Sequence, residues 1–198
     1  RNAGSELQML AEKLAAPVAL TANARGLLHK HPLCIPASGS LQAVRKLMTE
    51  ADGVLAVGTE LGTTDYDMYR REALNRLQGL VRIDICPQQL QRHTADIALN
   101  GDAADILATL NSQFTEPSPE RLQCAAELAS QTRNAAQAEL SACYRHHIEV
   151  LNTIRDTLPK SLIIGDSTQP IYAGNLYYDH DRVGGWFNSA TGYGALGY

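Results

Sequence analysis

Apolar residues at 7, 10, 11 and 14 recur on one helical face, so "SELQMLAEKLAA" (5–16) predicts an amphipathic helix capped by Ser5. "PVALTA" then reads as a short strand and "ARGLLHKHPLCIPASGS" as a loop. "SLQAVRKLMTEA" is a second amphipathic helix, "GVLAVG" (53–58) a buried strand and "DYDMYRREALNRL" a third helix. The strand "LVRIDI" (80–85), a turn or short helix in "CPQQLQRH", the strand "ADIALNG" and the helix "DAADILATLNSQF" follow. Continuous aliphatic strands alternating with helices predict an α/β fold, a Rossmann-like parallel sheet with helices on both faces, over residues 1–112. "TEPSPE" is a polar, proline-containing linker, and residues 113–157 read as that linker plus one long alanine-rich helix, about 119–157, broken once. From 158 to 198 a strand–loop–helix pattern restarts in "SLIIGDSTQPIYAGNLYY", and "VGGWFNSATGYGALGY" brings a further strand into glycine-rich backbone.

Composition narrows the partners. The chain is 44% hydrophobic, 19% charged and 6% aromatic, which is ordinary for a globular protein. A net charge of -4 without a basic run argues against nucleic acid. No apolar stretch approaches the length of a membrane span, and no signal peptide opens the chain. Cysteines 34, 86, 124 and 143 contain no CxxC pair and form no disulfide framework, so a reducing, cytoplasmic setting is expected. Cys143, His146 and His147 could suggest a metal site, but on a helix the two histidines point about 100° apart. They read as a solvated helix face, and His29 and His31 as solvated loop residues. The chain opens on Arg1 and stops in a glycine-rich turn at Tyr198, which predicts a piece of a longer protein.

The candidate chemistry lies at two strand ends. "IIGDSTQP" (163–170) runs an aliphatic strand into Gly165, Asp166, Ser167, Thr168 and Gln169, and Pro170 then suits a first helical turn. Ligands of open α/β sheets sit outside the carboxyl ends of the strands. Side-chain donors ahead of a helix N-terminus fit a phosphate, but on these residues alone a plain helix cap without a ligand is the leading reading. About 25 residues on, Gly192, Gly194 and Gly197 would let backbone approach a ligand or a neighbouring helix closely. Their spacing is not a GxGxxG fingerprint.

The ordered series "PVALTANARGLLHKHPL", "ADGVLAVGTELG", "LVRIDICPQQL", "ALNGDAADIL", "LIIGDSTQP" and "WFNSATGYGALGY" resembles the thiamine diphosphate enzymes of the acetolactate synthase and 2-oxo acid decarboxylase group. The resemblance covers nearly the whole chain. Its most specific part is "SATGYGALGY", similar to the family's S-x-x-x-G-x-M-G pattern. It implies that 1–112 is the central domain and 158–198 the start of a truncated diphosphate-binding domain. It further implies a full-length lyase or transferase using thiamine diphosphate and Mg²⁺ on a small 2-oxo acid, assembled as a homo-oligomer (dimer or tetramer). These residues alone would be inactive, because the family's catalytic glutamate and metal motif lie outside them.

By the same resemblance, Ser167, Thr168 and Gln169 match the loop that touches the cofactor diphosphate. Gly192, Gly194 and Ala195 belong to the cofactor-binding turn, the Gly194 carbonyl meeting the aminopyrimidine amine. Leu196 matches the apolar residue that wedges the cofactor into its bent form; on its residue type alone it reads as core. "GTELG" places Glu60 where flavin-binding members commonly carry an arginine, and a carboxylate repels a flavin diphosphate, which argues against FAD. The competing reading is a stand-alone Rossmann-type nucleotide-binding or interaction module using "AVGTELGTTD".

Overall fold

A computed structural model describes residues 3–62 and 77–188. The predicted third helix, "DYDMYRREALNRL", falls for the most part outside them. Helix α1 (Gly4–Leu14) leads into β1 (Val18–Ala19), which pairs in parallel with β2 (Cys34–Ile35). Helix α2 (Gln42–Glu50) precedes a second sheet of parallel strands, β3 (Val54–Val57), β4 (Leu80–Asp84) and β5 (Ile97–Asn100), in that spatial order. A short α3 (Pro87–Leu90) joins β4 to β5, and α4 (Ala103–Asn111) follows. The fold is α/β with parallel strands, as the alternating pattern predicts. Among the described residues, however, the strands of the first unit fall into two sheets rather than one.

Period-2 alternation explains how the three-stranded sheet is covered on both faces. Leu55 and Val57 pack with Ile83, Leu10 of α1 and Leu107 of α4. Val54 and Ala56 turn the other way, toward Leu80 and Met48 of α2. The second strand of the small sheet corrects the loop reading of residues 24–40. Pro32 and Pro36 bracket a two-residue strand, Cys34–Ile35, that is too short to show a periodicity. His29 and His31 are likewise not solvated loop residues. His29 Nδ1 lies 2.9 Å from Asp179 Oδ2, and His31 Nε2 lies 2.9 Å from Glu12 Oε1. Burial pushes the Cys34 thiol up to about 12, so this cysteine behaves as an inert apolar side chain.

The predicted long helix is two helices, α5 (Pro119–Ala138) and α6 (Ala142–Thr157), broken at 139–141. Ser118 and Ser141 accept from the backbone N–H groups of Arg121 and Tyr144 and so start each helix. Ala125, Ala129, Thr132 and Ala136 form a buried stripe on α5, small enough to bring it close to α2 and β2. At the break, both carboxylate oxygens of Glu139 accept from the N–H groups of Gln42 and Ala43, each at 2.7 Å. Helix α2 therefore takes its N-terminal cap from a residue 97 positions away. Glu139→Ala is expected to lower stability by about 1 kcal/mol, the usual cost of losing such a cap. Urea unfolding of the two proteins checks it.

The last described segment holds β6 (Ile163–Gly165), α7 (Gln169–Leu176) and β7 (Trp186–Asn188). Strands β6 and β7 pair in parallel. Leu151 of α6, Ile171, Tyr178 and Trp186 make their core. Residues 36–38 pair with 176–178: Ser38 N donates to Leu176 O at 2.8 Å and Tyr178 N to Pro36 O at 3.0 Å. His180 is buried beside this junction, its Nε2 donating to Ser161 O at 3.0 Å and its Nδ1 accepting from Tyr178 Oη at 3.1 Å.

Burial holds His180 below the ordinary imidazole value of 6.5, opposed by the Ser161 carbonyl and the Asp181 carboxylate and reinforced by Arg155 and His29. The unfolded chain therefore binds a proton at His180 before the folded chain does. Stability from this group is full above pH 6.5 and is lost as pH falls below it. Denaturation midpoints between about pH 7.5 and 5 are expected to fall in the wild type and to fall less in His180→Gln.

Candidate functional site

The carboxyl ends of β6 and β7 lie next to each other, with Gly165 opposite Asn188 in the register. Beyond Gly165 the chain turns sharply, because Asp166 O accepts from Thr168 N at 2.7 Å and Asp166 Oδ1 accepts from Ser167 N at 2.7 Å. The turn ends at Thr168, the N-cap of α7, whose extended backbone carries no side-chain cap bond. Thr168 O accepts from the N–H groups of Ile171 and Tyr172 at 3.1 and 3.0 Å. Pro170 sits in the first turn, where its missing N–H costs no helical bond. An aliphatic strand thus feeds a polar turn and a helix start, as "IIGDSTQP" predicts, but it is not a buried one: Ile163 is half-buried, Ile164 is exposed and only Gly165 is buried.

Ser167 and Thr168 lie at the start of α7, with Thr168 and Gln169 exposed. No acidic side chain occupies the first turn of α7. The carboxylate just before this turn, Asp166, accepts from the Ser167 N–H. Two hydroxyls, one side-chain amide and the positive end of the helix make a donor set of the kind that suits an anion, although the Thr168 hydroxyl donates to Asp166 O at 3.4 Å and would have to turn from it. Gln169 also lines a cavity of about 470 Å³, walled by Glu139, Leu140 and Ser141 at the helix break, Cys143 and Tyr144 of α6, and Leu176. Gly192, Gly194, Ala195 and Leu196 lie outside the described residues.

Among the described residues no group of three or more His, Cys, Asp or Glu could hold a metal ion. Cys143 Sγ lies 3.5 Å from His147 Nε2 on an exposed face of α6, and His146 pairs with Glu149, in keeping with a solvated surface. All four cysteines are free. No helix of the described residues is long and apolar enough to cross a membrane.

Around Glu60 the structure adds a partner that the sequence does not announce. Arg92 Nη1 lies 3.2 Å from Glu60 Oε2, and Gln89 Nε2 donates to Glu60 Oε1 at 3.2 Å. Beneath them the buried Arg82 donates to Gln89 O at 2.9 Å, Leu90 O at 3.4 Å and Thr59 O at 3.1 Å. The carboxylate is therefore partly balanced, and the end of β3 is tied to α3.

Sequence reasoning also missed Arg25, Asn175, Trp186 and Asn188, which hold the strand ends from behind. Arg25 Nη2 donates to Asn175 O at 2.8 Å, Trp186 Nε1 to Asn175 Oδ1 at 3.0 Å and Asn188 Nδ2 to Asn23 Oδ1 at 3.4 Å. Only Asn175 and Trp186, 11 positions apart, stand close in sequence, and that pair follows no motif.

Comparison with known proteins identifies the chain's relatives. A probable 2-ketoarginine decarboxylase of Pseudomonas aeruginosa is 35% identical over 201 residues, covering 99% of this chain and 35% of that protein. A pyruvate oxidase of Lactiplantibacillus plantarum is 29% identical over 120 residues, covering 59% of this chain and 19% of that protein. The chain therefore spans about a third or less of the length of these relatives. The model of the thiamine pyrophosphate enzyme central domain matches residues 1–110. With more than half of its length matched in this way, the chain belongs to the thiamine pyrophosphate enzymes.

Proposed function

We propose that this chain is part of a thiamine diphosphate-dependent enzyme that decarboxylates a small 2-oxo acid, and that the 166–169 turn receives the cofactor diphosphate. The observation that carries the reading is the β6–β7 register. Gly165 opposite Asn188 starts the diphosphate loop and the segment from Ser189 onward from adjacent strand ends. When bound, the cofactor supplies a nucleophilic thiazolium carbon and an electron sink for the bond that releases carbon dioxide.

The chain's own part is binding and orientation. Ser167, Thr168 and Gln169 donate to the diphosphate, and the N-terminus of α7 favours its charge. By the family resemblance, Gly192, Gly194 and Ala195 would bring backbone to the aminopyrimidine, and Leu196 would support the cofactor. A divalent ion such as Mg²⁺ would balance the charge of the diphosphate; no cluster of ligands for it stands among the described residues.

The similarity to a protein named a probable 2-ketoarginine decarboxylase supports a 2-oxo acid with a cationic tail as the first substrate to test. The full-length protein is expected to release carbon dioxide from 2-ketoarginine or pyruvate when thiamine diphosphate and Mg²⁺ are supplied. Calorimetry gives the cofactor affinity in the same preparation. No binding of the cofactor and no release from either acid would sink the reading. The protein is proposed to work as a homo-oligomer in the cytoplasm, consistent with four free cysteines.

A second expectation concerns flavin. The Glu60–Arg92–Gln89 bracket occupies the end of β3 with its own ion pair, and Arg82 is spent on three backbone carbonyls. A flavin diphosphate there would face Glu60 and compete for Arg92. The purified full-length protein is expected to be colourless. A stoichiometric flavin absorption band would show that this bracket opens.

A further inference from the structure

The short 3₁₀ turn Ala22–Ala24 of the first unit packs against both α7 and β7. Arg25, which follows it, is fully buried. Its guanidinium donates to two backbone carbonyls, Leu20 O at 3.0 Å and Asn175 O at 2.8 Å, the second 150 positions away. Asn175 stands in the last turn of α7, and its side-chain oxygen accepts from the indole of Trp186, the first residue of β7. That indole rests on Gly174, where a β-carbon would lie 2.5 Å from ring Cη2 and 2.7 Å from Cζ2. At the other end of β7, Asn188 is buried and donates to Asn23. The first unit therefore reaches both ends of β7: its start indirectly, through Arg25 on Asn175 of α7, which in turn holds Trp186, and its exit directly, through Asn23.

A buried arginine is a costly way to gain stability, since an apolar side chain of similar volume commonly does as well. What the planar guanidinium adds is direction, because its donors diverge at fixed angles toward two carbonyls. Here the two carbonyls belong to β1's continuation and to α7, the helix whose other end opens at Thr168.

We propose that Arg25 is a positioning residue for the cofactor site, setting through Asn175 and Trp186 the spacing between the α7 start and the exit of β7. The proposal rests on the diphosphate reading of the 166–169 turn. Lysine at 25 keeps the charge and loses the fork. Phenylalanine at 186 keeps an aromatic ring and loses the indole N–H. In the full-length protein, Arg25→Lys and Trp186→Phe are each expected to lower turnover at saturating thiamine diphosphate and Mg²⁺ about ten-fold, the scale of one lost charge-assisted or buried bond. Both should speed amide hydrogen exchange in peptides covering 186–188, and the double variant should be little worse than Arg25→Lys alone, because the two act in one relay.

A lowered melting temperature with unchanged turnover per folded molecule and unchanged exchange in β7 would make Arg25 a merely structural residue and overturn the proposal. So would effects of the two variants that simply add. A wild-type protein that binds no thiamine diphosphate would overturn the reading of the site itself, and this assignment with it.

Discussion

Gly26→Ala is expected to destabilise the protein by about 3–5 kcal/mol, combining a left-handed backbone cost with backbone overpacking. Gly26 has φ +94, a conformation that favours glycine. A β-carbon there would run into the carbonyl of Arg182 and lie 2.8 Å from Val183 N. Both obstacles are backbone, so no rotamer change relieves them. Arg182 O cannot simply withdraw, because it accepts from Gly185 N at 3.1 Å in its own turn. The neighbouring segment is held as well, by His29 on Asp179 and by Arg155 donating to Asp179 O. Gly184→Ala supplies the control: φ is +68 there, but nothing lies within 4 Å of an added β-carbon. That variant should lose only about 1–2 kcal/mol, the left-handed cost alone. Chemical denaturation of both variants separates strain from collision. Equal losses would mean that the 182–185 turn yields freely and that Gly26 is needed only for its φ.

The contacts around Gly26 also show where a sequence stops being readable. Residues 54–57 alternate between two covering layers, and a run of four aliphatic residues is enough to announce a strand. Serines at 118 and 141 ahead of helical stretches mark the two starts within the long alanine-rich region. The polar turn after β6 is legible too, because Pro170 fixes where a helix can begin. Strand β2 is not, since two residues between prolines carry no period, and its strand character comes from pairing with β1. Nor are the side-chain partners of His29, His31 and Glu60 or the Arg25 contact with Asn175, which lie 19 to 150 positions away. Long-range pairing is set by how the elements pack, and a single sequence shows each partner only as a polar residue of a helix or loop. The same limit applies to Asp166: its type suggests a ligand contact, while its carboxylate accepts from the Ser167 N–H and its carbonyl from the Thr168 N–H.

Leu196→Ala is expected to lower turnover of the full-length enzyme about a hundred-fold, the scale of a small misplacement of reacting groups. The residue lies outside the described residues, and its proposed role comes from the match of "GYGALG" to the family's cofactor-binding turn. If Leu196 supports the bent cofactor, its truncation leaves Ser167, Thr168 and Gln169 free to hold the diphosphate. Cofactor affinity should then change far less than turnover, because the lost contact orients the amine and the reacting carbon without carrying the charge. If Leu196 is core alone, truncation removes buried methyl groups and costs about 2–5 kcal/mol of stability. Turnover per folded molecule would then stay near that of the wild type. Melting temperature, cofactor affinity and turnover measured on one preparation separate the two cases. Leu196→Ile sharpens the test, since a branched side chain of equal volume should restore turnover in a prop while still disturbing a closely packed core. A destabilised Leu196→Ala enzyme with normal turnover per folded molecule would remove Leu196 from the site and leave the cofactor's shape to be set by residues elsewhere in the full-length protein.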